Sequence, residues 1–319
     1  MRIGIDLMGG DTPPDHLFPA ILEAAERLCS DYTLIVVATK PVIDALGPLV
    51  SNKKGARISF LEAVDSISME ENPLEAVRRK KKASLVIGIH LLKEKKLDAL
   101  ISCGNTGALI ACAAFFLPLM PGVSHPSLLV SLPTKKGPVV VVDVGGNISC
   151  KARDLVQYAF LGASHQRVMG GIKVPRVGLL NIGVESQKGT PELRLAFEQL
   201  QTYSEEAIAR GVSPTICFKG NIEGRDVFTG AVDVLVTDGF TGNILLKTAE
   251  GVAKFIFDEL DLPSSTSVSM LKKQFNYTEY PGALVCGVDA VLVKLHGNAR
   301  AETLLVSILG TVDLVKKRE

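Results

Sequence analysis

Tryptophan is absent from this 319-residue chain, and aromatic residues make up only 5% of it. A surface that stacks on nucleic-acid bases needs exposed aromatic rings, so the composition disfavours such a surface. Basic and acidic residues nearly balance, at 35 and 34, and the net charge of +1 gives no general attraction for polyanions. We therefore expect no nucleic-acid partner.

Regularly spaced metal ligands are also missing. The six cysteines are scattered without a C-x-x-C pair, and the five histidines show no H-x-x-x-H spacing. Structural zinc sites and disulfide frameworks usually show such spacings, so we expect reduced thiols in a cytoplasmic protein. The sequence predicts neither a metal nor a cofactor.

Long apolar runs and nucleotide fingerprints are lacking as well. The longest apolar run, residues 108–120, is shorter than a membrane span and predicts a buried helix. The N-terminus begins with a predicted strand and lacks the pattern of a signal peptide. Neither G-x-G-x-x-G nor a P-loop motif occurs, which disfavours the common dinucleotide and nucleoside-triphosphate sites.

Apolar strands alternate with helices along the whole chain, which predicts an α/β protein. A Pro- and Gly-bounded turn between the strands 128–132 and 139–142 predicts a hairpin, and therefore a mixed sheet. The other predicted strands are 2–6, 33–38, 57–61, 99–101, 177–181, 232–237 and 291–295. The predicted helices are 15–29, 41–50, 73–92, 108–120, 153–169, 191–210, 242–260 and 298–316, with Asn298 as the cap of the last.

Five strands end in a small, polar, glycine-bearing turn, at residues 6–11, 102–107, 143–147, 181–183 and 238–243. In open α/β sheets, ligands bind in the crevice outside the carboxyl ends of the strands. Glycine lets the backbone approach a ligand closely, and the N–H groups that begin the next helix suit an anion. The five turns together predict one phosphate-handling crevice.

The candidate substrate- and phosphate-binding residues lie on these turns and on the His296-Gly297 turn. They are Asp6, Gly9, Gly10, Asp11, Ser102, Gly104, Asn105, Thr106, Gly107, Asp143, Asn147, Asn181, Asp238, Thr241 and His296. Each turn alone fits a structural role about as well as a functional one, and Asp11 is also a good helix N-cap type. Cys103 has no neighbouring histidine to act as a base, which favours inert packing over a nucleophile.

Two basic features stand out. Lys188 lies on a glycine-bounded loop, where it can neutralise phosphate as a point charge, although a solvated loop lysine is the commoner case. Arg78, Arg79, Lys80 and Lys81 form a basic run on the predicted helix 73–92. That run is either a solvated helix face or an electropositive rim for an acidic partner.

Taken together, these segments resemble the PlsX family, the acyl-carrier-protein:phosphate acyltransferases of bacterial phospholipid synthesis. The likeness spans nearly the whole chain. It is carried by D-x-M-G-G-D at 6–11, R-R-K-K at 78–81, S-C-G-N-T-G-A at 102–108, D-V-G-G-N at 143–147, G-L-L-N-I-G at 178–183, K-G at 188–189, G-N-I-E-G-R-D at 220–226, D-G-F-T-G-N at 238–243, residues 280–287 and H-G at 296–297.

The resemblance implies a three-layer α/β/α fold with a mixed, mostly parallel sheet, like those of isocitrate and isopropylmalate dehydrogenases and of phosphotransacetylases. It implies one phosphate acyltransferase unit over residues 1–319, made of two closely associated lobes with a helical excursion near 250–285. It also implies a homodimer and peripheral contact at the inner membrane surface. Apolar residues of the excursion, Leu271 and Phe275 among them, predict dimerisation first and membrane contact second.

The implied reaction is attack of orthophosphate on the thioester of a fatty acyl-carrier protein, giving an acyl phosphate and the free carrier protein. An acyl-phosphate-using glycerol-3-phosphate acyltransferase is the implied next partner. We expect Lys188 and Asn243 to be catalytic and residues 78–81 to dock the carrier protein. Turn amides, with Asn105 and Asn147, would supply hydrogen-bond donors.

Other classes stay open at this point. One is a coenzyme-A-dependent phosphate acetyl- or butyryltransferase, or a dehydrogenase of the same broad fold. Another is a non-catalytic scaffold for lipid synthesis at the membrane. An assay of acyl-carrier protein against acyl-coenzyme A separates the transferases, and a single-turnover assay separates an enzyme from a scaffold.

Overall fold

A computed structural model of the chain describes residues 1–50, 55–210, 213–259 and 282–318. The chain divides into two compact units. Unit 1 comprises residues 1–120 and 277–319, and unit 2 comprises residues 121–276. Residues 260–281 of the predicted helical excursion, Leu271 and Phe275 included, lie outside the described residues.

The strands are β1 (Arg2–Asp6), β2 (Thr33–Thr39), β3 (Arg57–Ala63), β4 (Ala99–Ser102), β5 (Ser127–Leu132), β6 (Val139–Val142), β7 (Arg176–Asn181), β8 (Cys217–Glu223), β9 (Val234–Val236), β10 (Ala283–Cys286) and β11 (Val291–Lys294). The α-helices are α1 (Pro14–Arg27), α2 (Lys40–Leu46), α3 (Pro73–Arg79), α4 (Ser84–Lys93), α5 (Thr106–Phe116), α6 (Ala152–Gly170), α7 (Pro191–Ala209), α8 (Gly239–Glu259) and α9 (Ala301–Arg318).

In unit 1 the strand order is β3-β2-β1-β4-β11-β10, and the pairs are parallel except the last. Successive residues of a strand point to opposite faces. Ile3 and Ile5 pack with α1 and α9 in one core. On the other face, Leu100 fills the space beside Gly88 of α4, where an added Cβ would lie 2.9 Å from Leu100 Cδ1. Helices therefore cover both faces of this sheet.

In unit 2 the strand order is β5-β6-β9-β7-β8. The β5–β6 pair is antiparallel, which confirms the predicted hairpin, and the other pairs are parallel. Helix α6 packs closely on this sheet at Gly162, where an added Cβ would lie 2.4 Å from Val234 Cγ1. Both units are thus mostly parallel α/β sheets, as the alternation of strands and helices predicted.

The predicted helix over 73–92 is wrong, because the chain forms two helices there. Lys80 leaves helical geometry, and residues 80–83 carry the chain between α3 and α4. Main-chain hydrogen bonds tie this break to the segment after β3: Val64 N–H donates to Lys82 O, and Ser84 N–H donates to Asp65 O. These tertiary hydrogen bonds outweigh the local helix propensity and interrupt the helix.

Two strands, β8 and β10, were not predicted. The β8 segment C-F-K-G-N-I-E has little alternation, and its Gly220 has a φ of +81° beside a register shift against β7. Helix α8 begins at Gly239, three residues before the predicted start. The predicted cap at Asn298 is also wrong, because Leu304 N–H donates to Arg300 O at the start of α9.

Candidate functional site

Three parallel strands of unit 1 end at the same level with a polar side chain each. Asp6 pairs with Ser102 across β1 and β4, and Lys294 pairs with Ser102 across β11 and β4. All three residues are buried. The Ser102 hydroxyl donates to Asp6 Oδ2 at 2.8 Å, and the Lys294 ammonium donates to the Leu295 carbonyl. The sequence analysis identified Asp6 and Ser102 but missed Lys294.

The Asp6 carboxyl group is held inside unit 1 rather than at its surface. Burial raises the pKa of Asp6 to about 6. Hydrogen bonds from Ser84, from Ser102 and from the Met8 N–H, together with the charge of Lys294, lower this pKa and so limit the rise. Asp6 therefore organises the turn above it, since its oxygens are already engaged by neighbouring groups.

The turns that follow β1, β4 and β11 pack directly on one another through glycines. Gly9 has a φ of +76°, and an added Cβ there would lie 2.2 Å from the Ile67 carbonyl oxygen. At Gly10 the Cβ would lie 3.1 Å from the carbonyl oxygens of both Cys103 and Gly297. A side chain at Gly9 would displace the segment after β3, and one at Gly10 would separate the three turns, so close backbone approach requires both glycines.

Asn105 caps α5 rather than facing outward. Its Oδ1 accepts from the Ala108 N–H at 3.0 Å, and its Nδ2 donates to the carbonyls of Ser68, Met69 and Glu71 at 3.2–3.3 Å. Thr106 and Gly107 form the first turn of the helix. The amide of Asn105 is thus used within the protein, as are the N–H groups of Gly104 and Ala108.

Asp11 and His296 lie on turns of unit 1 that contact each other. The Asp11 and Thr12 N–H groups both donate to Gly297 O, at 2.7 and 3.1 Å. Asp11 Oδ2 would lie 2.6 Å from a Cβ at Gly297. The N-cap of α1 is Pro13, so the alternative role of Asp11 as a helix cap is wrong.

In unit 2, Asp143 is the centre of the turn after β6. Its Oδ1 accepts from the N–H groups of Leu128, Gly145 and Gly146 at 2.8–3.1 Å. Its Oδ2 accepts from the N–H and the side-chain amide of Asn147, at 2.8 and 3.0 Å. Burial raises its pKa, and these hydrogen bonds oppose the rise. Asp143 builds the turn and has no acceptor capacity to spare for a ligand.

The turn after β9 is hydrogen-bonded to the turn after β6. The Gly239 N–H donates to Asn147 O at 2.8 Å, and Asn243 Nδ2 donates to Val144 O at 3.0 Å. Asp238 accepts from the N–H and the hydroxyl of Thr241, at 2.8 and 2.9 Å, at the start of α8. Asp143, Asn147, Asp238, Thr241 and Asn243 thus lie on two turns that contact each other.

Lys188 lies on the loop after β7, the strand next to β9. Asn181 shapes this loop: its Oδ1 accepts from the Ile182 N–H at 2.8 Å, and its Nδ2 donates to Lys188 O at 3.1 Å. Gly189, with a φ of +86°, closes the loop against Asn181. The Lys188 side chain is exposed, and among the described residues it forms neither a hydrogen bond nor an ion pair through its ammonium group.

The basic run divides between surface and interior. Arg78 and Arg79 are exposed at the end of α3. Lys80 instead donates to the Ser66 carbonyl at 2.7 Å and to Glu71 Oε2 at 2.9 Å, which raises the pKa of the lysine. Lys81 lies 5.6 Å from the ring centroid of Phe116. The structure therefore gives Lys80 an internal role and leaves the arginines available to a partner.

The geometry does not support Cys103 as a nucleophile. Cys103 is buried beside Asp6, and burial raises the pKa of its thiol to about 12. A thiol of that pKa is a poor nucleophile at neutral pH. Within the ranges that the structure describes, no three His, Cys, Asp or Glu side chains are grouped to hold a metal ion. In the same ranges, no helix is long and apolar enough to cross a membrane.

Comparison with solved structures defines the class of fold. A phosphotransacetylase from Streptococcus pyogenes matches with a TM-score of 0.64 at 18% identity, covering 100% of this chain and 94% of that one. The EutD phosphotransacetylase from Staphylococcus aureus matches with a TM-score of 0.61 at 17% identity, covering 99% and 94%. At these identities the likeness establishes the fold alone, which is the predicted phosphotransacetylase-like α/β fold.

Sequence comparison establishes the family. A family model described as fatty acid synthesis protein matches residues 1–318. The phosphate acyltransferase of Chlamydia pneumoniae is 40% identical over 322 aligned positions, covering 100% of this chain and 96% of that protein. The one from Thermoanaerobacter pseudethanolicus is 36% identical, covering 97% and 92%. The chain belongs to this phosphate acyltransferase family and is an acyltransferase, which confirms the resemblance drawn from its motifs.

Proposed function

We propose that the protein transfers a fatty acyl group from the thioester of an acyl-carrier protein to orthophosphate. A phosphate oxygen attacks the thioester carbonyl and forms a C–O bond. The C–S bond then breaks, and the carrier thiolate leaves and takes up a proton. The products are an acyl phosphate and the free carrier protein. The names of the relatives and the phosphate-suited turns of both units support this reaction.

The exposed ammonium of Lys188 is the observation that carries the proposal. The polar side chains of the turns after β6, β9 and β7 are already engaged: Asp143, Asn147, Asn181 and Asn243 all hydrogen-bond within unit 2. Lys188 alone among these residues keeps its charge for a ligand. A lysine on a glycine-bounded loop neutralises phosphate as a point charge.

The asparagine amides were expected to supply hydrogen bonds to the developing oxyanion, but each donates to a carbonyl of its own unit, as Asn105 and Asn243 do. The N–H groups of Gly145, Gly146 and Gly239 are also engaged within unit 2. In this proposal the Lys188 ammonium therefore supplies the positive charge that stabilises the developing oxyanion. Phosphate is already a nucleophile at neutral pH, so the reaction needs neither a Ser-His-Asp triad nor a cysteine.

The acyl donor docks, we propose, at the exposed end of α3. Carrier proteins of this kind are acidic, and Arg78, Arg79 and Lys81 present positive charge there. A homodimer, peripheral contact at the inner membrane surface, and delivery of the acyl phosphate to a glycerol-3-phosphate acyltransferase complete the proposal. These last three rest on the family resemblance.

The test is phosphate-dependent cleavage of a fatty acyl-carrier protein thioester by Lys188→Ala. We expect a loss of roughly 100-fold or more, as for removal of one electrostatic donor. The matched control is Lys173→Ala, because Lys173 is an exposed lysine of unit 2 that precedes β7 rather than following it. A near-wild-type rate for Lys188→Ala with an intact fold removes the lysine from the mechanism. Cleavage of acyl-coenzyme A in preference to the carrier-protein thioester would instead favour the coenzyme-A-dependent alternative.

A further inference from the structure

Five large apolar side chains lie exposed on the three turns at the carboxyl ends of β6, β9 and β7. They are Ile148, Phe240, Ile244, Ile182 and Val184, with exposed fractions of 77%, 59%, 50%, 81% and 60%. Large side chains of this kind are normally buried, and grouped exposure of them marks an interaction site. We refer to these five residues as the apolar rim.

The main chain brings the members of the apolar rim to the same edge of unit 2. Ile148 and Phe240 each follow one partner of the hydrogen bond between the Gly239 N–H and Asn147 O. Ile244 follows Asn243, whose side chain binds Val144 O in the same pair of turns.

The loop after β7 joins the same edge. Ile182 follows β7 directly, and β7 lies next to β9. Behind the turns, the Ala152 N–H donates to Glu192 Oε2 at 2.6 Å, which ties the start of α6 to the start of α7. The apolar rim and Lys188 therefore share the same three turns.

The chemistry of the proposed reaction indicates which part of the substrate contacts this edge of unit 2. In a near-attack geometry the thioester carbonyl carbon stands about 3–3.5 Å from the attacking phosphate oxygen. With phosphate at Lys188, the acyl carbons that follow the carbonyl have to extend over the turns after β6, β9 and β7. Those carbons are methylenes, and burying each is worth about 0.8 kcal/mol. Polar turns would not bury these methylenes, whereas contact with the side chains of the apolar rim removes them from water and gains this free energy.

We propose that the apolar rim binds the fatty acyl chain beyond its fourth carbon and so makes the enzyme select long acyl groups over short ones. Its three turns follow the adjacent strands β6, β9 and β7, and neighbouring strands lie roughly 5 Å apart, so a butanoyl group is too short to reach across them. This inference rests on the proposed function, because it takes Lys188 as the phosphate site. It assigns a hydrocarbon to a surface that would otherwise face water.

A second copy of the chain is the competing occupant. An interface between permanently associated copies is usually broad and continuously apolar. The apolar rim is instead interleaved with exposed polar groups, such as Thr241 and Lys188. Further along α8, Val252, Phe255 and Ile256 form a separate exposed apolar stripe at helical spacing. That stripe suits a protein partner better than the apolar rim does.

The experiment measures kcat/KM for butanoyl-, octanoyl-, dodecanoyl- and hexadecanoyl-carrier protein with inorganic phosphate. The variants are Phe240→Ser, Ile182→Ser and the double variant, with Ile148→Ser as an independent third position. We expect the preference for hexadecanoyl over butanoyl to fall by roughly tenfold or more in the double variant. Phe240→Leu should retain most of the preference. The control is Val168→Ser, another exposed apolar position, which lies on α6 away from the turns and should leave the preference unchanged.

Failure of the acyl-binding role and failure of the proposed function give different results. An unchanged chain-length preference, with Lys188→Ala inactive, overturns the acyl-binding role and leaves the proposed function standing. Unchanged preference together with conversion to monomers in sedimentation equilibrium assigns the apolar rim to an interface between copies, which also overturns the role. Full activity of Lys188→Ala removes the lysine from the mechanism, and the acyl-binding role falls with it because that role takes Lys188 as the phosphate site. Only a wild-type protein that fails to cleave the carrier-protein thioester with phosphate would remove the proposed function.

Discussion

The Ser102 hydroxyl donates a 2.8 Å hydrogen bond to the Asp6 carboxylate across two parallel strands that end at the same level. Both residues are buried, and Lys294 ends the next strand in the same register. A carboxylate, a hydroxyl and an ammonium group thus lie beneath the glycine turns of unit 1. These polar residues at strand ends hydrogen-bond to one another and to the turn above them, so their role is to hold the turns in place.

This buried carboxyl group makes stability depend on pH in a defined direction. The pKa of Asp6 is about 6 in the folded protein, against an ordinary value of 3.8. Between about pH 4 and pH 6 the folded state keeps a proton that the unfolded state has released, so stability falls as the pH rises through this window. We expect Asp6→Asn to gain roughly 3 kcal/mol of unfolding free energy relative to wild type on going from about pH 4 to about pH 7.

Urea denaturation followed by circular dichroism measures this difference, since the chain has no tryptophan to report by fluorescence. Ser102→Ala provides the control for the cause. It removes a hydrogen bond that lowers the pKa of Asp6, so the loss of stability should extend to higher pH. A difference between Asp6→Asn and wild type that stays constant with pH would contradict the assignment.

The split of the basic run predicts two different defects. Reversing charge at Arg78 and Arg79 should raise the Michaelis constant for acyl-carrier protein, and the penalty should shrink at high salt because exposed charges are screened. Lys80→Ala removes an internal contact to Glu71 and Ser66. Its defect should therefore persist at high salt and appear as lower stability. Salt-independent kinetics for the arginine variants would place them outside the docking surface.

Two glycines of α8 should respond oppositely to alanine. At Gly242 an added Cβ would lie 1.9 Å from the Asp143 carbonyl oxygen, so Gly242→Ala forces apart the turns after β6 and β9. At Gly251 no atom lies within 4 Å of the added Cβ. We expect Gly251→Ala to stabilise the protein by about 1 kcal/mol through helix propensity. Gly242→Ala should cost about 1–3 kcal/mol and most of the activity.

Thermal unfolding and the phosphate-dependent assay report both effects in parallel. Each substitution adds one methyl group to the same helix, so the contrast isolates the contact with Asp143. Equal stability and activity for the two variants would show that the turns after β6 and β9 are free to separate.

The order of strands and helices was predictable from the sequence because the apolar runs and the turns between them are local signals. The five glycine turns could be placed at strand ends for the same reason, and the motifs within them identified the family. Lys188 could be singled out because a lysine between Gly183 and Gly189 is visible without any tertiary contact.

Tertiary structure decided where local signals compete with distant partners. The predicted helix 73–92 breaks because Lys82 and Ser84 hydrogen-bond to the segment after β3. Strand β8 has the composition of a loop and is ordered by pairing with β7. Such pairings join residues far apart in sequence, and no local pattern encodes them.

The roles within the candidate site were also decided in three dimensions. A sequence shows that Asp143, Asn147 and Asn243 are polar, but not that each already forms a hydrogen bond within the turns. Nor does it reveal that Lys294, inside an apolar strand, ends level with Asp6. The sequence by itself determined which residue types stand at the strand ends. Strand register and burial determined which of them hold the turns together and which keep an exposed charge, because hydrogen bonds saturate and depend on geometry.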